Sequence, residues 1–412
     1  MAPQPIRLVH ITTVPYALSY FSGQVGYMKA RGFEVYGLSS PGKLLSAFSK
    51  KEGVQVQAIE MARRLTPLQD LAALFRIWRW LHSLRPEIIH AHTPKGGLLG
   101  MVGGWLARIP IRIYHMHGLR FLTATGLTRK LLMWSEKLSC RLAHQVLCVS
   151  ASVRAQAVEA GYCPDEKIKV LLQGSCNGVD STNRFNPSKI PPTARAEMRA
   201  KYCIPNDAAV LGFVGRIVSN KGIVDLAEAW CGLRNEFPDL HLLMVGPIEP
   251  EDPIPSQVEE LLHKDPRVHL IGEEWDTPPL YATTDIVVLP TYREGLPTVL
   301  LEAAAMSLPV VATRVPGCVD VVEDGITGTL VPPQDSQRLA EAIRSYLKDP
   351  ELRRKHGTAA RERVIREFRQ EMIWLATYEE YVQCLLKKKL ALPLSESVPA
   401  MPSSRLTEPA GG

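Results

Sequence analysis

The stretch that decides the fold runs from Pro290 to Val315 and reads Pro-Thr-Tyr-Arg-Glu-Gly-Leu-Pro-Thr-Val-Leu-Leu-Glu-Ala-Ala-Ala-Met-Ser-Leu-Pro-Val-Val-Ala-Thr-Arg-Val. It follows an apolar run at 286–289 and contains a loop, a helical segment from Thr298 and a second apolar run at 309–313. Strand, loop, helix and strand in this order indicate an open parallel sheet. Because phosphorylated ligands bind at the carboxyl ends of such strands and at helix N-termini, the pattern predicts a phosphate site in the loop.

Two carboxylates frame this loop, Glu294 within it and Glu302 about one turn into the helix. Acidic groups beside a phosphate site are suited to accept hydrogen bonds from hydroxyl groups, so we expect a sugar or ribose there. The spacing of Glu, seven residues and Glu, filled with Glu-Gly-Leu-Pro-Thr, resembles the family-4 retaining glycosyltransferases. That resemblance implies two Rossmann-like domains facing each other across a cleft, the α/β arrangement called GT-B.

A second phosphate-binding segment is predicted after the apolar run 209–214. Arg216 and Lys221 flank a glycine-bounded turn at a helix start, where backbone N–H groups and fixed cations suit a diphosphate. A solvated basic loop is the alternative. The resemblance implies that these two cations hold the donor diphosphate and that the loop after Gly272 lies beside the nucleotide base. It also brings four positions of the first loop to the donor: Gly295, Leu296, Thr298 and Val299.

The first half of the chain begins as strand, helix and strand without the Gly-x-Gly-x-x-Gly fingerprint of dinucleotide enzymes. Gly23 resembles the glycine that the family places near the donor phosphate, and a helix cap is the alternative. We place His90 and His92 on opposite faces of their strand and therefore expect no shared metal ion. His92 and Lys95 are predicted to bind an anionic acceptor at the carboxyl end of this strand, with a plain strand-to-helix turn as the alternative.

His117, in the segment Met116-His117-Gly118-Leu119-Arg120, follows the next predicted strand. The His-Gly pair resembles the one that the family holds against the transferred sugar, so His117 is assigned a catalytic role beside Glu294. A structural histidine is the alternative. Arg120 is assigned to the acceptor.

The predicted boundaries follow composition. The Pro-rich segment 186–193 is the most linker-like in the interior, so residues 1–190 form the acceptor domain and residues 191–368 the donor domain. Residues 369–389 are predicted to be a helix that crosses back to the first domain, by resemblance. The Pro- and Ser-rich tail, 390–412, is predicted to be disordered.

Composition narrows the class of protein. The 412 residues are 46% hydrophobic and 22% charged, which suits a globular protein of two or three domains. The eight cysteines form no Cys-x-x-Cys pair, which indicates a reducing cytosol. We predict neither a secretory signal nor a membrane span. The chain contains no Asp-x-Asp, so we expect no metal ion and no other cofactor in the transfer.

The charge distribution predicts a partner surface. Residues 60–141 hold 13 Lys or Arg against 4 Asp or Glu, while the whole chain carries a net charge of +6. Basic residues mix with Trp in the predicted helices of this region, which suits an anionic membrane surface. We therefore predict peripheral binding at the cytoplasmic face of the plasma membrane and a lipid-diphosphate-linked or other glycan acceptor. A solvated helix face is the alternative. No nucleic-acid motif accompanies the charge.

The resemblance implies a retaining transfer of a hexose or N-acetylhexosamine from a nucleoside-diphosphate sugar, with uridine as the expected base. Glu294 is expected to accept hydrogen bonds from hydroxyl groups of the sugar, and Glu302 from those of the ribose. Two other classes share the architecture, a nucleotide-sugar 2-epimerase and a non-catalytic carbohydrate-binding protein. Nucleotide release that depends on an acceptor separates the three.

Overall fold

The computed structural model describes residues 5–393 except 65, 120, 122 and 251. The predicted two-domain α/β architecture is confirmed. The first sheet is parallel and has the order β3-β2-β1-β4-β5-β6-β7. Its strands are β1 Ile6–Ile11, β2 Phe33–Ser39, β3 Gln55–Ala58, β4 Ile88–His92, β5 Ile111–Met116, β6 Gln145–Cys148 and β7 Ile168–Val170.

The second sheet is also parallel, with the order β10-β9-β8-β11-β12-β13. Its strands are β8 Ala209–Val214, β9 Leu240–Val245, β10 Val268–Gly272, β11 Ile286–Leu289, β12 Val310–Thr313 and β13 Gly328–Val331. In both sheets the strand order reverses beside the first strand, between β1 and β4 and between β8 and β11. A crevice opens at such a reversal, at the carboxyl ends of the strands.

Helices cover both faces of each sheet. Those of the first domain are α1 Tyr16–Ser19, α2 Gln24–Lys29, α3 Lys43–Glu52, α4 Pro67–Leu84, α5 Pro94–Leu106, α6 Gly126–Leu142 and α7 Ala151–Glu159. Those of the second are α8 Ala194–Lys201, α9 Ile223–Glu236, α10 Ser256–Lys264, α11 Pro278–Thr283, α12 Thr298–Ala305, α13 Cys318–Val321, α14 Ser336–Lys348 and α15 Pro350–Glu367.

The last described helix, α16 Gln370–Lys387, packs on the first domain. Tyr381 and Leu385 are buried in the first-domain core, and the indole of Trp374 donates a 2.6 Å hydrogen bond to Asn177. Residues 394–412, which contain most of the tail predicted to be disordered, lie outside the described residues.

Helix α5 lies unusually close to the first sheet because it is rich in glycine. A Cβ atom at Gly97 would overlap the ring of Tyr114, and one at Gly104 would overlap Ile89. The apolar run that contains these glycines is therefore a core helix of 13 residues.

The apolar face that the sequence predicts for α4 is only partly correct. The helical spacing of Leu71, Leu74, Phe75, Trp78 and Leu81 predicts one apolar side, but the buried residues are Ala73, Ile77 and Leu81. Leu71 and Phe75 are 65% and 57% exposed. The apolar residues of this helix exceed one core-facing stripe, so the hydrophobic pattern alone did not identify which of them face the sheet.

Candidate active site

The candidate site lies where the second sheet reverses. Strands β8 and β11 are parallel neighbours, so the loops that follow them leave the same edge of the sheet. Gly222 brings the two loops into contact: it has φ of +69°, and a Cβ atom there would overlap the carbonyl oxygen of Pro290. This close approach places Lys221, which precedes the glycine, against the loop that carries Glu294.

Lys221 and Glu294 form a direct ion pair, with Nζ donating to Oε1. The two side chains are only 16% and 12% exposed. A cation and a carboxylate held together at low exposure are oriented before any ligand arrives. The pair can present a positive charge to a phosphate and a carboxylate to a hydroxyl on the same ligand.

The loop after Glu294 reaches the first domain. The carbonyl of Gly295 accepts a 2.7 Å hydrogen bond from the hydroxyl of Ser150, and a Cβ atom at Gly295 would overlap the carbonyl oxygen of His117. Leu296 packs against the cores of both domains. Thr298 and Val299 begin helix α12, so their N–H groups are among those that a helix leaves without an internal partner.

Glu302 lies within α12 and is partly buried. Burial raises the pKa of its carboxyl group to about 7, while the hydrogen bond from Tyr281 and the charge of Arg184 act in the opposite direction. The Tyr281 hydroxyl donates to Oε2 at 2.9 Å. This contact leaves the other carboxylate oxygen for a ligand hydroxyl.

Arg216 is linked to the first domain through Glu249. Glu249 forms one ion pair with Arg216 at 2.7 Å and another with Arg63 at 3.4 Å. Burial raises the pKa of Glu249, but the hydrogen bond and charge of Arg216, with Arg63, outweigh it and lower the pKa overall. The predicted diphosphate cation is thus held by an acid that also bridges the two domains.

Two tyrosines of the first domain approach this site. Tyr16 lies 5.3 Å from the ring of Trp275, and its pKa is raised mainly by burial and further by Glu302, while Arg216 lowers it. Tyr20 stacks edge-on to Tyr16 at 5.0 Å. The charges of Glu302 and Arg216 therefore both act on the same first-domain side chain.

His117 and Gly118 bring the first domain to the loop at Gly295. A Cβ atom at Gly118 would lie 3.2 Å from the Cα of Gly295. Burial lowers the pKa of His117 to about 4, so its imidazole is neutral at physiological pH. A neutral imidazole can accept or donate a hydrogen bond to a bound sugar.

Behind His117 lies a cluster of five histidines from three adjacent strands and the loop that follows, which we call the histidine cluster: His10, His90, His92, His115 and His117. Burial lowers the pKa of each ring. His90 and His92 have ring centroids 4.2 Å apart, so our placement of them on opposite faces was wrong. Residues two apart in a strand point to the same face.

Two of the predicted acceptor residues have partners within the first domain. The side chain of His92 is buried in the histidine cluster at 1% exposure, so the acceptor prediction for His92 is wrong. Lys95 is held by Asp70 at 2.7 Å and by the carbonyl of Arg64, and its side chain is 12% exposed. Its charge is thus paired with Asp70 within the first domain, and its assignment to an anionic acceptor stays a prediction. Arg120 lies outside the described residues.

The two remaining glycines have different surroundings. Gly23 caps helix α2 with φ of +82°, and a Cβ atom there would lie 2.7 Å from Trp374. Gly272, with φ of +76°, has open space around its Cα, and its carbonyl accepts a 2.8 Å bond from Gly246. Gly23 therefore also allows α16 to pack closely, while Gly272 borders open space.

Sequence reasoning missed Glu249, Tyr16, Trp275 and Ser150. Each belongs to a loop or short helix whose partner lies in the other domain, so no local pattern marks it. The only signal was the position of Trp275 soon after Gly272, in the loop that the resemblance places beside the base.

Among the described residues, no helix combines the length and the apolar character that crossing a membrane requires.

Two family models match the chain. "Glycosyl transferases group 1" covers residues 194–363 and "Glycosyl transferase 4-like domain" covers residues 17–174. The capsular polysaccharide biosynthesis glycosyltransferase CapM of Staphylococcus aureus is 31% identical over 368 residues, which is 89% of this chain and 94% of CapM.

The UDP-Gal:alpha-D-GlcNAc-diphosphoundecaprenol alpha-1,3-galactosyltransferase of Escherichia coli is 24% identical over 287 residues, or 69% of this chain and 72% of that protein. Among solved structures, Anabaena Alr3699/HepE in complex with UDP and glucose matches with a TM-score of 0.77 and 20% identity, over 92% of this chain and 100% of that one. At this identity the match shows the shared fold.

Proposed function

Because the chain belongs to the glycosyl transferases group 1, the GT-B family-4 type found in bacterial polysaccharide synthesis, we propose that it transfers a hexose or N-acetylhexosamine from a UDP-sugar to a lipid-diphosphate-linked glycan. The observation that carries this proposal is the ion pair of Lys221 and Glu294 at the sheet reversal, next to Gly295, which contacts the backbone of His117. Two relatives support the substrates by their names: one structural neighbour is described with UDP, and one relative is named for a diphosphoundecaprenol acceptor.

In the proposed mechanism, Arg216 and Lys221 stabilise the negative charge that develops on the departing diphosphate, together with backbone N–H groups at 295–299. No divalent ion is needed at the diphosphate. Glu294 accepts hydrogen bonds from hydroxyl groups of the transferred sugar, and Glu302 accepts them from the ribose hydroxyl groups. The acceptor hydroxyl attacks the same face of the sugar from which the leaving group departs, so the anomeric configuration is retained.

We further propose that the first domain docks on the cytoplasmic face of the plasma membrane. Exposed apolar side chains project from three neighbouring helices: Leu68, Leu71 and Phe75 of α4, Trp105 of α5, and Leu127 and Trp134 of α6. Arg76, Arg79, Arg129 and Lys130 are exposed on the same helices. Apolar side chains beside cations suit the interface of an anionic bilayer, and this position would bring the cleft to a lipid-linked acceptor.

The test is a panel of UDP-sugars incubated with the full chain and a lipid-diphosphate-linked acceptor, followed by NMR of the product. We expect nucleotide release only when acceptor is added, and a product whose anomeric configuration matches the donor. Isomerised free nucleotide sugar without acceptor would instead indicate a 2-epimerase. Donor binding without release under any acceptor would indicate a carbohydrate-binding protein.

A further inference from the structure

The histidine cluster contains three rings arranged as metal ligands. One nitrogen from each of His92, His115 and His117 lies within 4.8 Å of the others. Nδ1 of His92 and Nε2 of His117 are 3.1 Å apart, close to the roughly 3.3 Å that separates two ligand nitrogens of a tetrahedral zinc ion at 2.0–2.1 Å. The strands hold two of these rings in place, because β4 and β5 pair with His92 opposite His115, and His117 directly follows β5.

His115 supplies an independent observation. It is 4% exposed, and its Nε2 atom has no hydrogen-bond partner among the described residues. Its Nδ1 atom lies at hydrogen-bonding distance, 3.2 Å, from Nε2 of His90. A buried polar atom without a partner is uncommon in folded proteins, since losing the bond to water costs about 1–3 kcal/mol. A bound cation would satisfy this nitrogen.

The surroundings are also those of a metal site. A ligating histidine normally donates its other N–H to a fixed acceptor. Here the second nitrogen of His92 lies 3.2 Å from Nδ1 of His10, and that of His115 contacts His90, which in turn lies 2.6 Å from the hydroxyl of Tyr381. Two of the three rings thus have such a partner, and His117 is the partly exposed member that borders the cleft.

We propose that His92, His115 and His117 form a binding site for one divalent transition-metal ion of the zinc class, with His10 and His90 as the partners that orient the ligands. Three imidazole nitrogens match the ligands that zinc and cobalt take in proteins, and His117 is the partly exposed ring of the three. This site is separate from the diphosphate cations Arg216 and Lys221, so it requires no metal in donor binding.

The test titrates Co²⁺ and Zn²⁺ into the full chain, prepared without a polyhistidine tag and dialysed against EDTA. We expect one Co²⁺ per chain with the intense visible absorption of tetrahedral cobalt, displaced by Zn²⁺. His115→Gln and His92→Gln should abolish uptake. His90→Gln should weaken it roughly 10–100-fold, as expected for the loss of a partner to a ligand.

The matched control is His241→Gln. His241 and His269 form a pair in the second domain with nitrogens 2.8 Å apart but without a third ring within the described clusters. This variant should bind Co²⁺ like the unaltered chain. Failure of the folded, unaltered chain to take up Co²⁺ at micromolar concentration would overturn the proposal, whatever the variants do. Uptake that persists in His115→Gln, or that depends on His10 but not His115, would also overturn it.

One consequence rests on the proposed function. A bound ion would be coordinated by a ring nitrogen of His117, which we place at the transferred sugar. Zn²⁺ should therefore slow transfer, and EDTA should restore it. Because metal uptake is measured without donor or acceptor, its failure is distinguishable from failure of the proposed transfer.

Discussion

Lys221 and Glu294, which are 73 residues apart in the chain, form an ion pair with side chains 16% and 12% exposed. The pair exists because β8 and β11 are neighbours in the sheet and Gly222 lets their following loops touch. It joins the two segments that sequence analysis assigned separately to a diphosphate and a sugar.

Removing one member of this pair should affect both activity and stability. We expect Lys221→Met or Glu294→Gln to lower kcat by about 10²–10³, the usual effect of losing one group that stabilises charge in a transition state. Each change leaves the partner group poorly compensated, so the free energy of unfolding should fall by roughly 1–3 kcal/mol. Steady-state kinetics and urea unfolding measure the two effects.

The control for this pair is Glu341→Gln, which removes an exposed ion pair with Arg338 in the same domain. It should change neither quantity appreciably. Turnover near that of the unaltered chain in Lys221→Met and Glu294→Gln would refute their assignment. A double variant, Lys221→Met with Glu294→Met, should be less destabilised than the sum of the single changes, because neither charge is left alone.

Donor binding should depend on pH through Glu302. Its pKa of about 7 means that the carboxylate form, which accepts ribose hydroxyls, increases as the pH rises from about 6 to about 8. We expect the Kd for UDP to fall over this range. Because the folded protein holds this proton more tightly than the unfolded chain, the same group should make the unliganded protein less stable as the pH rises through about 5 to 7.

Glu302→Gln should flatten both pH profiles. Isothermal titration calorimetry at several pH values, with urea unfolding at the same values, provides the measurements. An unchanged pH dependence of UDP binding in this variant would assign the titration to another group.

Gly295 should tolerate no side chain. A Cβ atom there would overlap the carbonyl oxygen of His117, so Gly295→Ala must separate the two loops that close the cleft. We expect a loss of kcat/KM of about tenfold or more, since small displacements of reacting groups are costly. The matched control is Gly232→Ala in helix α9, where a Cβ atom meets nothing within 4 Å.

Gly232→Ala should keep full activity and add about 0.5–1 kcal/mol of stability, because alanine favours a helix over glycine. Equal kinetics for the two glycine variants would show that the approach of Gly295 to His117 has no part in catalysis.

Membrane docking is tested by flotation with liposomes that contain an anionic lipid. We expect the full chain to float at low salt and to lose binding when Leu68, Leu71 and Phe75 are changed together to Ser. Ile326→Ser is the control, since Ile326 is 56% exposed on the second domain. If the unaltered chain stays with the soluble fraction at low salt, or if Ile326→Ser has the same effect as the triple change, docking through this surface is excluded.

The sequence predicted the second domain well because its evidence is local. The segment with Glu294 and Glu302 contains its loop, helix and second strand within 26 residues. Arg216 and Lys221 belong to one turn. The histidine cluster could not be found this way, since its rings come from β1, β4, β5 and the following loop, which only sheet pairing brings together. The contact of Glu249 with Arg63 likewise depends on how the domains meet.

Helix α4 shows a second reason for error. Its periodicity correctly identified a helix, but Leu68, Leu71 and Phe75 remain exposed while Ala73 and Ile77 pack inward. Hydrophobicity alone does not distinguish a face that packs in the core from one available to a partner surface.

The most direct test of donor binding by Lys221 and Arg216 is calorimetric titration of UDP in the presence of EDTA. We predict that the unaltered chain binds UDP without a divalent ion, and that Lys221→Met and Arg216→Met each weaken binding by about tenfold or more, the equivalent of about 1.4 kcal/mol. Arg344→Met, which removes an exposed ion pair with Glu236 in the same domain, should leave the Kd unchanged. Binding that requires a divalent ion, or that is indifferent to the loss of Lys221 and Arg216, would contradict this prediction.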